Sequence, residues 1–243
     1  MEKPFEESWF HAPLRAIGDE ALLDADESHH MRKVLRIQPG RRVVASNGAG
    51  GIFLCETLSG KADSILLIAV ERMRAEAEPP RLNIALSLLK GKDTEDPVEG
   101  LCQLDVRAIH LVTSEHTQEF KGQNHDRLVE RLRGKSLVAL KQAKKAWLTE
   151  IHAPVPLRDW RERFAAMPLV LLHPGPDRLP ERMDGKFAVL SGPEGGFSAA
   201  ELDWLEAGGC HRIGLGETRI RGTHAPLIAC GKLLGLGLLD GPA

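Results

Sequence analysis

No stretch of the sequence approaches the ~20 consecutive apolar residues needed to span a bilayer, and the first residues carry Glu2, Glu6 and Glu7 instead of an apolar leader core. A membrane protein or an exported precursor is therefore not expected, and the reading is a soluble protein of the cytoplasm. Cysteine is scarce. Cys55, Cys102, Cys210 and Cys230 stand far apart with no Cys-x-x-Cys pair, which excludes a zinc or dithiol signature and a disulfide framework alike. Charge of one sign is lacking too: a net charge of -2 excludes attachment to nucleic acid by bulk charge alone. The dinucleotide fingerprint G-x-G-x-x-G and the P-loop G-x-x-x-x-G-K-[ST] are both missing, since Gly214-Leu215-Gly216 has Arg219 where the third glycine belongs. NAD and ATP are thus not expected as cofactors. There is no internal repeat or low-complexity tract.

What is present suits two domains, for which 243 residues suffice. Residues 1–76 read as mostly β. Arg41 to Ser59 holds two short strand-like runs joined by Asn47-Gly48-Ala49-Gly50-Gly51, a hairpin turn signal, and Ser64 to Val70 is a further buried strand. These predict a small β-barrel. Glu76-Ala77-Glu78-Pro79-Pro80, polar and stiffened by two prolines, marks the expected boundary to a second domain, 77–243. There the pattern alternates: a strand at Leu82 to Lys90, a helix from Asp96-Pro97 through Leu104, a strand at Ala108 to Val112, helices at His125 to Lys145 and Leu157 to Ala166, and a strand at Pro168 to His173. Such alternation predicts an α/β fold with a parallel sheet covered on both faces.

Basic residues cluster locally. Residues 29–45 hold Arg32, Lys33, Arg36, Arg41 and Arg42 with no acid, and residues 127–145 hold Arg127, Arg131, Arg133, Lys135, Lys141, Lys144 and Lys145 against Glu130. Either run fits phosphate contacts, or a solvated helix face. His29 and His30 have no Asp, Glu or Cys at ligand spacing, so they are assigned to nucleic-acid contact or packing, and no metal is expected.

The chain is organised around Phe187 to Ser198. The apolar run Phe187-Ala188-Val189-Leu190 stops at a loop with three glycines, Gly192-Pro193-Glu194-Gly195-Gly196. This is a strand feeding a loop at its C-terminal end, where open α/β sheets bind ligands because backbone amides are unpaired and glycine allows close approach; a plain tight turn is the alternative. Ser198 and Glu201 have capping-box spacing and Gly208-Gly209 supply the stop, predicting a helix of about three turns. His211 to Gly216 is a second strand-and-glycine unit, followed by Thr218-Arg219-Ile220-Arg221 and an apolar helix from Pro226 to Leu239. Two glycine loops at neighbouring strand ends make a pocket.

The segments SGPEGGFSAAEL (191–202) and IGLGETRIRGTHA (213–225) resemble the two signature segments of the RsmE family of ribosomal RNA methyltransferases, in the SPOUT superfamily. HHMRKVLRIQPG (29–40) and LKGKDTEDPVEGLCQLDV (89–106) are similar to further motifs of that family, so the resemblance covers nearly the whole chain. It implies a PUA-like RNA-binding barrel at 1–76 and a SPOUT domain with a C-terminal trefoil knot at 77–243. It also implies S-adenosylmethionine as cofactor, N3 of a uridine in 16S ribosomal RNA of the small subunit as target, and a homodimer formed through the C-terminal domain. Matched to the family, the donor site is Leu171, Leu172 and His173, then Gly192, Pro193, Gly195 and Gly196, then Ile213, Leu215, Gly216, Arg219 and Ile220. Arg221 is the expected stabilising charge. Glu194 is a candidate base or a partner of the next helix dipole. Arg32, Lys33, Arg36, Lys141, Lys144 and Lys145 are the expected RNA contacts.

Two departures matter. Where most members read R-x-E-T-A, this chain reads Arg221-Gly222-Thr223-His224-Ala225, and where they read E-Q-x-x-R it reads Lys141-Gln142-Ala143-Lys144-Lys145. His224, at the positive end of the last helix, is expected to stay neutral and to take over a base or hydrogen-bonding role; the alternative is that Thr223 caps the helix and His224 points to solvent. The changes also leave open a non-catalytic RNA-binding ribosome-assembly factor that keeps the pocket. A ribose methylator is disfavoured, because the start of the catalytic domain has no N-x-x-G-x-x-R pattern.

Overall fold

The computed structural model describes residues 5–60, 64–90, 93–118, 125–177, 185–218 and 220–235. The chain divides into two compact units, residues 1–79 with 137–148, and residues 80–136 with 149–243. In the first, β1 (Phe5–His11), β2 (Glu20–Leu22), β3 (Arg42–Ser46), β4 (Gly51–Ser59) and β5 (Ile65–Ala75) form one sheet in the order β1-β3-β4-β5-β2. β1 runs parallel to β3 and the other pairs are antiparallel. No ladder joins the edge strands β1 and β2 among the described residues, so the sheet curves as an open half-barrel. The β3–β4 turn forms because Asn47 Oδ1 accepts the N–H groups of Ala49 and Gly51, both at 2.8 Å, while Gly48 and Gly50 take φ of 67° and 90°. Helix α1 (Ala25–His29), capped by the Asp24 carboxylate on Glu27 N–H at 2.8 Å, runs into a π-helical turn, His30–Val34.

Phe10, Leu14, Met31, Val43, Phe53 and Leu67 form the core of this unit. Val44, one residue from Val43 and so on the opposite face of β3, is buried as well. The cause is residues 137–148, which return to this unit: Ala146 packs on Val44 and Ile52, with Trp9 and Trp147 at the margin. Backbone bonds fix that cover, Gly50 N–H donating to Ala146 O and Leu148 N–H to Gly48 O, both at 2.9 Å.

The second unit alternates as its pattern predicts, with one strand, β8, that the pattern does not show: β6 (Leu82–Ser87), α2 (Glu95–Gln103), β7 (Val106–Thr113), α3 (His125–Gln142), β8 (Glu150–Pro156), α4 (Leu157–Arg163), β9 (Leu169–Asp177), β10 (Phe187–Ser191), α5 (Ala199–Ala207), β11 (His211–Gly214) and α6 (Ala225–Gly235). The last residues of α3 belong to the first unit. The six strands are all parallel, in the order β11-β9-β10-β6-β7-β8. Every residue of β6 and β10 is buried, as expected of central strands covered on both faces. Leu157 and Trp160 of α4 and Leu205 of α5 pack on Ala188 and Leu190. The intervening Phe187 and Val189 are equally buried, and α6 contacts β9, β10 and α2. Gly100 permits that helix contact, since a Cβ there would lie 2.7 Å from Leu227 Cδ2. With all strands running one way, the loops that follow β6, β7, β9, β10 and β11 leave at a single edge of the sheet.

Candidate active site

The glycine loop after β10 lies at this edge and is held from two neighbouring loops. Gly192 has no room for a side chain, because a Cβ would come within 2.8 Å of the Phe197 ring. Glu194 Oε1 accepts the Lys90 N–H, in the loop after β6, at 2.8 Å. Gly196 O lies 3.1 Å from His116 Nδ1, in the turn after β7. Behind the loop the predicted capping box is complete: Ser198 Oγ accepts Glu201 N–H at 3.2 Å and Glu201 Oε2 accepts Ser198 N–H at 2.9 Å. The other oxygen of the Glu201 carboxylate accepts Glu115 N–H at 2.9 Å. One buried carboxylate thus joins the start of α5 to the turn after β7.

The three expected donor segments share this edge. Leu171 and Ile213 are core residues, fully buried, so they offer a ligand their backbone rather than their side chains. Leu172 is buried within β9, which continues to Asp177 past the expected strand end at His173, Leu215 and Ile220 are half-buried, and Pro193 of the loop is buried. His173 is half-buried, its Nδ1 2.9 Å from Pro174 O. Gly216, at φ of 120°, bridges to Gly175. Nothing lies within 4 Å of the point where a Cβ would stand at Gly196 or Gly216. Both positions therefore border open space, which leaves their backbone accessible to a ligand such as the adenosyl part of S-adenosylmethionine. Gly195 differs: its missing Cβ faces His116 Cβ at 3.2 Å, not open space. Arg219 lies outside the described residues.

Arg221 opens the turn into α6, its carbonyl accepting the N–H groups of His224 and Ala225 at 2.9 and 3.0 Å, with its side chain exposed. His224 is exposed as well, with Nδ1 3.1 Å from Thr223 Oγ1. A Cβ on Gly222 would lie 3.7 Å from Leu89 Cδ2, so this turn stands beside the loop that holds Glu194. The fold accordingly brings Arg221, His224 and Glu194 to the same edge. His116, Glu115 and the Lys90 amide were not singled out from sequence; the available signal was that Ser114-Glu115-His116 follows a strand of the same sheet.

The expected RNA contacts of the first unit differ in exposure. Arg32, Lys33 and His29 line a groove of about 760 Å³ whose wall includes Leu22, Ile37 and Pro39. Arg36, at φ of 54°, and Lys144 are exposed outside that lining. Lys141, by contrast, is half-buried in an ion pair with Glu27, and Lys145 is buried. Among the described residues no group of three or more His, Cys, Asp or Glu is placed to hold a metal ion, and no helix is long and apolar enough to cross a membrane.

Comparison with known proteins identifies the family. A family model described as RNA methyltransferase domain matches residues 76–234, and one described as RNA methyltransferase PUA domain matches residues 23–69. The ribosomal RNA small subunit methyltransferase E of Synechocystis is 25% identical over 232 residues, covering 91% of this chain and 75% of its own. The protein of that name from Mycobacterium bovis is 25% identical over 226 residues, covering 89% and 86%. The Neisseria gonorrhoeae ribosomal RNA small subunit methyltransferase E, solved with S-adenosyl methionine bound, shares the fold at a TM-score of 0.82 and 18% identity, over 94% of this chain and 97% of that one. A Legionella pneumophila protein solved with bound SAM also has a TM-score of 0.82, at 22% identity over 93% and 96% of the two chains. With its catalytic and PUA segments both matched, this chain belongs to the RNA methyltransferase family that includes the ribosomal RNA small subunit methyltransferase E proteins.

Proposed function

We propose that this protein transfers the methyl group of S-adenosylmethionine to N3 of a uridine in 16S ribosomal RNA of the small subunit, in the cytoplasm and as a homodimer. The observation that carries the reading is the glycine loop of β10, braced through Glu194 and Gly196 from the loops after β6 and β7, with the open backbone faces of Gly196 and Gly216 beside it. When bound, the donor supplies an electrophilic methyl group on a sulfonium sulfur. The protein's own residues do the rest. Backbone groups of 171–173, 192–196 and 213–216 pair with the adenosyl edge, while Leu172, Leu215 and Ile220 cover its faces. The N3 atom of uracil carries a proton and becomes a nucleophile only when that proton leaves, so the site needs an acceptor and a cation for the uracil anion. Arg221, exposed at the turn into α6, is the cation in this reading. Glu194 serves mainly as a brace, because its Oε1 is committed to the Lys90 amide. His224 is exposed on the same turn and remains a candidate for orienting the base.

Arg32 and Lys33 in the groove, with Arg36 and Lys144, contact RNA phosphates, whereas Lys141 and Lys145 support the fold. The reading also carries the trefoil knot, the chain after Leu190 threading a preceding loop, and a dimer through α6, whose apolar Ile228 stays exposed. The test is transfer of labelled methyl groups onto small subunits from a strain lacking its own enzyme. Label recovered as 3-methyluridine is the expected result; label on a ribose, or donor binding without transfer, would refute the assignment.

A further inference from the structure

The turn after β7 carries a histidine to which neither the family motifs nor the reading above gives a role. His116 sits in Ser114–Thr117, a turn closed by Thr117 N–H donating to Ser114 O at 3.0 Å and by Ser114 N–H donating to Thr117 Oγ1 at 2.8 Å. The Glu115 N–H is tied to the Glu201 carboxylate at 2.9 Å, which fixes the same turn to the start of α5. On its other side the residue abuts the glycine loop, with Cβ 3.2 Å from the Cβ position of Gly195 and Nδ1 3.1 Å from Gly196 O. The turn is thus pinned before any ligand arrives, as a group that acts on a bound nucleotide requires.

The Gly196 bond determines the tautomer. A carbonyl oxygen only accepts, so Nδ1 must carry the hydrogen and donate; in the neutral ring the lone pair then resides on Nε2, across the ring from the loop. The ring is exposed and so open to a base brought to the glycine loop. Among the described residues His173 shares part of this, its Nδ1 facing Pro174 O at 2.9 Å, but that bond is to its own chain neighbour and does not tie it to the glycine loop. Glu194 is held through Oε1 by the Lys90 amide, which leaves only Oε2 to accept a proton. Arg221 cannot accept a proton. The partner of His224 is a hydroxyl, which can donate or accept and leaves the tautomer undetermined.

We propose that His116 is the proton acceptor of the methyl transfer. The step rests on the function proposed above and balances as follows. Nε2 takes the proton from uracil N3, the freed nitrogen pair forms the bond to the donor's methyl carbon, and the carbon–sulfur bond breaks with its electrons left on sulfur. The products are 3-methyluridine, S-adenosylhomocysteine and an imidazolium, which returns its proton to water. The Nδ1–H bond to Gly196 O persists throughout and strengthens as the ring gains charge.

The test separates a chemical from a structural role through His116→Asn, whose side-chain amide can still donate to Gly196 O while offering no basic nitrogen. Transfer onto unmethylated small subunits should fall ~10²-fold in kcat for His116→Asn, with the Kd of S-adenosylmethionine by calorimetry unchanged. His116→Ala should lose a similar factor and regain part of it when free imidazole is added. Nitrogen NMR of the free protein should show the hydrogen on Nδ1 of His116. Wild-type turnover in His116→Asn would overturn the proposal, as would an Nε2–H tautomer, or a donor Kd that weakens in step with the rate. If the wild-type protein makes no 3-methyluridine, the underlying reaction fails and the proposal with it; if it makes 3-methyluridine while His116→Asn is fully active, only the role of His116 fails.

Discussion

His110, on β7, is a titratable ring in the packing of the catalytic unit. It is 6% exposed, stacks on His152 with ring centroids 4.4 Å apart, and meets Phe164 and Trp160 at 4.9 and 5.9 Å. Burial, then the neighbouring His152 and Arg163, lower its pKa from 6.5 to about 4. The unfolded chain therefore binds a proton that the folded one refuses. The stability His110 contributes is complete above about pH 6.5 and is lost as the pH falls toward about 4. At about 1.4 kcal/mol per unit, going from about pH 7 to about pH 5 should cost roughly 2 kcal/mol. His110→Phe, which keeps a ring against Phe164 and Trp160, should remove most of that difference in denaturant unfolding compared at the two pH values. An equal loss in the variant would show that other groups govern acid sensitivity. Residues differ in how visible such roles are in sequence. The glycines at 192, 195 and 196 stand out because their spacing is a backbone requirement, yet only the fold shows that Gly195 faces His116 whereas Gly196 faces open space. A lone histidine after a strand has no pattern, and its place on the loop depends on β10 lying two strands from β7.

At the scale of elements, local chemistry was legible where it is self-contained. Helix α5 is capped by Ser198 and stopped at Gly208 because the capping box and the glycine stop lie in its own local sequence. Strand β8 was not read, since Pro154 and Pro156 interrupt its pattern; as the last strand of the sheet it pairs on one side only and tolerates them. The long helix α3 stops at Gln142, before the expected Lys145, where Lys144 turns to φ of 54°. The capping residues permit a graded test. Ser198→Ala removes one cap acceptor and should cost about 1 kcal/mol. Glu201→Ala orphans the amides of both Ser198 and Glu115 and should cost more, roughly 2–3 kcal/mol, with faster hydrogen exchange at Glu115. Equal losses in thermal unfolding, with Glu115 exchange unchanged, would mean that the tie between the two loops contributes nothing.

At the scale of the whole chain, the first unit is not contiguous in sequence. Its stretch 137–148 begins inside α3, and apolar spacing along a helix shows that a face is buried without showing what buries it. The energetic consequence follows from Val44 and Ile52, 1% and 2% exposed, which lie under Ala146 and beside Trp147. Uncovering two such side chains forfeits about 1.5–3 kcal/mol each. A small domain has only about 5–15 kcal/mol to lose. The same cut removes the Ala146 and Leu148 backbone bonds to the β3–β4 turn and leaves Glu27 without Lys141. A fragment of residues 1–79 should therefore bind a hydrophobic dye, unfold at low denaturant and self-associate. The same fragment carrying residues 137–148 on a flexible linker should be monodisperse and unfold cooperatively at higher denaturant. Val44→Ser in the bare fragment should reduce its association without restoring its stability, because the cover supplies both burial and hydrogen bonds. If residues 1–79 alone prove monodisperse and as stable as the extended fragment, the returning segment is an ornament on a self-sufficient sheet rather than part of its core.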